Sequence, residues 1–64
     1  MNKIKSFRQS KKLSQERLAR IIDVTLATYS KIERGKAPSR IFIEKTKKAF
    51  PEIDINDMFF AEEA

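Results

Sequence analysis

The sequence contains no cysteine and no histidine. Without cysteine, neither disulfides nor thiolate metal sites can supplement a small core. Without histidine, metal binding would rest on carboxylates alone, and general acid–base chemistry loses its commonest residue. The carboxylates present fall at helix caps, near basic partners or in the acidic end, so no catalytic residue, metal site, cofactor or small-molecule ligand is expected. An enzyme is the weakest of the functional readings. Glycine occurs once and proline twice, and no internal repeat or low-complexity stretch is present. No apolar run is long enough to span a bilayer, and the N-terminus lacks the apolar centre of a signal peptide. A cytoplasmic protein with no membrane partner is the expectation.

What is present is charge, unevenly placed. All 14 basic residues lie at or before Lys48, against only Glu16, Asp23, Glu33 and Glu44, so residues 1–50 carry +10. Residues 51–64 hold Glu52, Asp54, Asp57, Glu62 and Glu63 with no basic residue, giving −5. A basic body suits a polyanion such as nucleic acid, and the acidic end would be kept away from it. The alternative is a solvated, charge-rich surface without a partner. With 64 residues, a single domain over 1–64 sits near the lower size at which a core carries a fold, where oligomerisation is a common source of stability.

The organising stretch is Ser14 to Gly35, SQERLARIIDVTLATYSKIERG. Leu18, Ala19 and Ile22 recur at helical spacing, and Tyr29 and Ile32 repeat it. Ser14 and Thr25 stand where N-caps belong. Val24 is an apolar turn residue with a reason to be there only if pinned between two helices. Gly35 can take the positive φ that ends a helix. Before this stretch, residues 1–12 read as a first helix with Ile4 and Phe7 inward. After it, Pro38 and Ser39 announce a fourth helix with Ser39 as cap, ended by Pro51. Lys45, Lys47 and Lys48 crowd that helix's last turns and suit its C-terminal dipole. Asp54 caps a short fifth helix. The fold class expected is all-α: a compact five-helix domain containing a helix-turn-helix.

These residues carry a resemblance. Leu13-Ser14-Gln15, Leu18-Ala19, Val24-Thr25 and Ile32-Glu33-Arg34-Gly35 follow in order and spacing the helix-turn-helix of the phage repressor and Cro family, the xenobiotic-response-element type with a lambda-repressor-like fold. The resemblance implies sequence-specific binding of double-stranded DNA by a transcriptional repressor that occupies a palindromic operator as a homodimer. It equally covers antitoxins and controller proteins that autoregulate, and the same fold serves as a protein-interaction module. RNA is disfavoured, because most phenylalanines lie at core spacing rather than where single strands stack. Three departures stand out. Arg17 replaces the glutamate of a capping box, Asp23 stands for a turn glycine, and Leu26 and Ala27 occupy positions that are often polar or basic.

Under this resemblance the third helix is the recognition helix. At about 100° per residue, Tyr29, Ile32 and Glu33 turn inward, while Ala27, Ser30, Lys31 and Arg34 face outward with Leu26 in the first turn. Lys31 can donate to guanine, Ser30 to a base or a phosphate, and Leu26 and Ala27 can meet thymine methyl groups. Ser14, Gln15, Arg17, Thr25, Arg34, Lys36, Ser39 and Arg40 are the candidates for phosphate, with Gln15 at a helix N-terminus that favours anions. Arg8 and Glu33 are implied to form a partly buried ion pair holding the first helix to the third. Ile53, Ile55, Met58, Phe59 and Phe60 supply more apolar surface than so small a core absorbs. Phe59 is expected inward, and Ile55, Met58 and Phe60 are expected to form the dimer interface.

Overall fold

The computed structural model describes residues 2–60. Met1 of the expected first helix, and Glu62 and Glu63 of the expected acidic end, lie outside the described residues. Four α-helices follow one another: α1 (Ile4–Ser10), α2 (Gln15–Ile22), α3 (Leu26–Glu33) and α4 (Arg40–Ala49), with a π-helical turn at Asn56–Phe60. The all-α, five-helix expectation holds, and no strand occurs among the described residues. No helix among them is long and apolar enough to cross a membrane.

Three helices start in the same way. Ser14, Thr25 and Ser39 each keep an extended backbone, and each hydroxyl accepts the N–H three residues on, from Arg17, Thr28 and Phe42. An unpaired N–H of the first turn is thereby satisfied, typically worth about 1 kcal/mol per cap. Arg17 gives up the return bond of a capping box, but the forward bond forms at 3.0 Å. Three helices also end alike, through paired six-to-one and five-to-two bonds. The residues at the left-handed position are Lys12 (φ 57°), Asp23 (φ 70°) and Gly35 (φ 111°). Only one of the three is glycine. Lys12 corrects the expected end of the first helix: Leu13 N–H returns to the Arg8 carbonyl at 3.2 Å, closing α1 at Ser10.

The core is made by Ile4, Leu18, Ala19, Ile22, Tyr29, Ile32, Phe42, Ile53 and Met58. α2 packs on both α3 and α4. Thr46 is a buried polar residue, and its hydroxyl donates to the Phe42 carbonyl at 2.8 Å within α4. Edge-to-face contacts of Phe7 with Phe50 and of Phe42 with Phe59 close the periphery.

The C-terminal turn corrects the expected interface. Met58 is 7% exposed and belongs to the core. Lys3 N–H donates to its carbonyl at 2.8 Å, drawing the residue under α1. Ile55 is half-buried against the core, as is Phe59, and only Phe60 stands out, at 50% exposure. The wider π-helical winding changes which residues share a face from the 3.6-residue pattern assumed for an α-helix. Lys47 reaches beyond the end of α4 to the carbonyls of Pro51 and Ile53, both at 2.7 Å, whereas Lys45 leaves the helix end for the Asp23 carbonyl at 2.7 Å.

Candidate nucleic-acid interface

The turn between α2 and α3 is set by Asp23 and Val24. Asp23 takes the left-handed conformation, and Val24 N–H returns to the Ala19 carbonyl at 2.9 Å. Val24 is half-buried against the core. Lys45 from α4 clasps this turn, with Nζ on the Asp23 carbonyl and 3.6 Å from its carboxylate. At the far end of α3, Gly35 and Lys36 N–H groups bond the Ile32 and Lys31 carbonyls, both at 3.0 Å. A side chain at position 35 would meet open space, so the positive φ alone accounts for glycine there. Both ends of α3 are thereby held at defined angles.

The inner face of α3 is held by charge as well as by packing. Arg8 Nε donates to Glu33 Oε2 at 2.7 Å, and its Nη1 donates to the Leu13 carbonyl at 2.8 Å. The Tyr29 hydroxyl donates to the same carboxylate oxygen, and Gln15 Nε2 donates to Oε1 at 2.9 Å. The Glu33 side chain is only 5% exposed. Burial alone would push its carboxyl up, but hydrogen bonds from Arg8, Tyr29 and Gln15, with the charge of Arg8, hold it below the usual carboxylate range. Burial pushes the Tyr29 phenol up, and the adjacent carboxylate adds to that. At neutral pH the phenol therefore stays a donor. Asn2 completes this wall, bonding the Ile32 carbonyl through Nδ2 at 2.7 Å and the Ile4 N–H through Oδ1. The Glu33 carboxylate is nearly shut from solvent, and the cluster locks α1, α2 and α3 together.

The outer face of α3 presents Leu26, Ala27, Thr28 and Lys31 to solvent, with Ser30 half-buried. Thr28 was not among the residues the sequence singled out. The N-terminal ends of α3 and α4 converge, and Thr25, Thr28, Ser39, Ile41 and Lys45 border one depression between them. Ser14, Arg17 and Arg20 border a second, with Glu16. Arg17, Arg34 and Lys36 are exposed. Arg40 is exposed and bonds Glu44 one turn on at 3.2 Å. Two more of the expected phosphate contacts, Thr25 and Gln15, are already engaged. The Thr25 hydroxyl gives its proton to Thr28 Oγ1 at 2.9 Å while accepting the Thr28 N–H. Gln15 is half-buried with its amide on Glu33, which leaves it one amide N–H for an outside acceptor. Ile41, 64% exposed beside Ser39 and Arg40, is an apolar surface residue.

The lysines that flank α1 face elsewhere. Lys3 lies 3.2 Å from Asp57, and Lys11 lies 3.8 Å from Glu52. The acidic segment thus faces the two lysines that flank α1, while Arg17, Lys31, Arg34 and Lys36 are exposed and in no ion pair among the described residues. No cluster of residues suited to a metal ion occurs among the described residues.

A family model described as helix-turn-helix matches residues 4–51. That span runs from the start of α1 to just past the end of α4 and includes both ends of the Glu33 network. No curated protein and no solved structure matches the chain.

Proposed function

This chain belongs to the Cro/repressor-type helix-turn-helix family, and we propose that this DNA-binding transcriptional regulator is a repressor acting by operator occupancy. Leu26, Ala27, Ser30 and Lys31 enter the major groove and read base edges. Arg17, Arg34, Lys36 and Arg40, with the Ser14 and Ser39 hydroxyls and the remaining N–H of Gln15, position the protein on phosphates. The observation that supports this reading is the division of charge. Lys3 and Lys11, on either side of α1, face the acidic C-terminal segment, whereas the surface around α3 carries the exposed Arg17, Lys31, Arg34 and Lys36.

Phe60, half exposed at the acidic end, is the surviving candidate for a two-fold homodimer contact. Such a contact would hold two recognition helices about one turn of DNA apart, on a palindromic operator. Selection of bound sequences from random duplex DNA tests the whole reading. Inverted half-sites centred roughly 10 bp apart, or at a multiple of that, are the expected result. A single unrepeated site would remove the dimer, and absence of any enriched sequence would remove sequence-specific repression. The exposed Leu26 and Ile41 favour one other reading, a protein-interaction module. Little or no salt-sensitive binding to random duplex DNA would be its signature.

A further inference from the structure

The exposed side chains of α3 change character from one end to the other. Its first turn presents Leu26, 46% exposed, and Ala27. Thr28 follows, with its hydroxyl oxygen already accepting from Thr25. Formal charge on the outer face appears only at Lys31, because the Glu33 carboxylate is turned onto Arg8. A recognition helix sets its N-terminal residues nearest the base edges, so the apolar end of α3 is the reading end.

That arrangement has a chemical consequence. Leucine and alanine neither donate nor accept hydrogen bonds. Pressed onto most major-groove edges, they would displace water from donors and acceptors and offer nothing in return, which is unfavourable. The apolar group in the major groove is the thymine C5-methyl. Resting on the reading of α3 as the recognition helix, we infer that Leu26 and Ala27 select thymine methyl groups. The ligand is then a duplex half-site with thymine under the start of α3 and guanine under Lys31.

The experiment starts from a site selected out of random duplex DNA and replaces each thymine in turn by deoxyuracil, which removes only the methyl group. Replacement under Leu26 weakens binding about fourfold, the worth of one buried methyl group. In Leu26→Ala, an exposed position whose folding is checked by a thermal melt, that penalty disappears. Replacing the guanine by 7-deazaguanine, which removes N7, weakens binding by the wild type and has no effect on Lys31→Ala. Unchanged affinity at every deoxyuracil, or the same penalty in Leu26→Ala, overturns the inference while specific binding, and with it the repressor reading, stands. Failure to bind any duplex overturns both.

Discussion

Two corners of this molecule join opposite charges, and they differ in what surrounds the pair. Where α1, α2 and α3 meet, Glu33 is nearly closed off from water and receives Arg8, Tyr29 and Gln15 together. Where α1 meets the C-terminal segment, Lys3–Asp57 and Lys11–Glu52 reach across open surface, with more than 40% of each side chain exposed. Each pair joins a basic side chain to a carboxylate. The difference lies in the water: it screens the second set and is displaced from the first, where every partner lost must be made good from within the protein. The buried corner therefore sets the geometry of α3, and the exposed one mainly distributes charge.

Breaking the buried corner gives the largest effect. Arg8→Ala leaves the Glu33 carboxylate without its counter-charge and the Leu13 carbonyl without a donor. Losing one partner of such a pair costs about 3–5 kcal/mol, most of the stability of a domain this small. A melt of Arg8→Ala should show a protein unfolded or nearly so at 25 °C. A wild-type midpoint would mean that the pair does not hold the fold.

Acid probes the same corner without a mutation. An unfolded glutamate titrates near about 4.3, and Glu33 is held lower in the folded state. Between the two values the unfolded chain binds the proton and the folded one does not. The stability contributed by Glu33 is thus complete above the unfolded value and is lost as pH falls through the folded one. Stability of the wild type should drop below about pH 4, and Glu33→Gln, weaker throughout, should lose this part of its acid dependence. An unchanged acid limb in Glu33→Gln would assign the acid sensitivity to other carboxylates.

How far this corner was legible depended on how local each contact is. Ser14, Thr25 and Ser39 could be placed as caps because a cap is defined by residues three apart in sequence. The inward and outward faces of α3 followed from period alone. Arg8 and Glu33, 25 positions apart, were paired only through the family resemblance, and nothing local revealed that Tyr29 and Gln15 join them. Lys45 on the Asp23 carbonyl was hidden for the same reason. Met58 was misplaced because the turn that carries it winds as a π-helix, and Lys12 because a lysine gives no sign of a left-handed backbone. Ile41 shows the converse case: apolar and in a helix, yet exposed.

The frame around the buried corner can also be strengthened, by a smaller amount. Lys12 holds a left-handed backbone in the turn that presents the Leu13 carbonyl to Arg8. That conformation costs a residue with a Cβ about 1–2 kcal/mol, while glycine adds roughly 0.5–1 kcal/mol of unfolded-state entropy. Lys12→Gly should therefore stabilise by about 0.5–1 kcal/mol. Asp23→Gly should gain less, because aspartate tolerates this region better and its carboxylate already faces Lys45. Denaturant midpoints in the order Lys12→Gly, Asp23→Gly, wild type are expected. The reverse order would show that the Lys45 contact, rather than backbone strain, governs the second turn.

The smallest effect belongs to the exposed corner, and it sharpens the contrast most. Lys3→Met removes the charge facing Asp57 while keeping an apolar stem of similar length. The backbone bond from residue 3 to the Met58 carbonyl does not depend on the side chain, so the C-terminal turn stays attached. An exposed pair of this kind is worth less than about 1 kcal/mol, which for a domain of this size shifts the melting midpoint by at most roughly 4–8 °C. Salt separates the two corners. At about 1 M the screening length falls to roughly 3 Å, so the difference between Lys3→Met and wild type should vanish, whereas the deficit of Arg8→Ala should persist. A Lys3→Met deficit that survives high salt would mean that water does not reach the Lys3–Asp57 pair, and the two corners would then be alike.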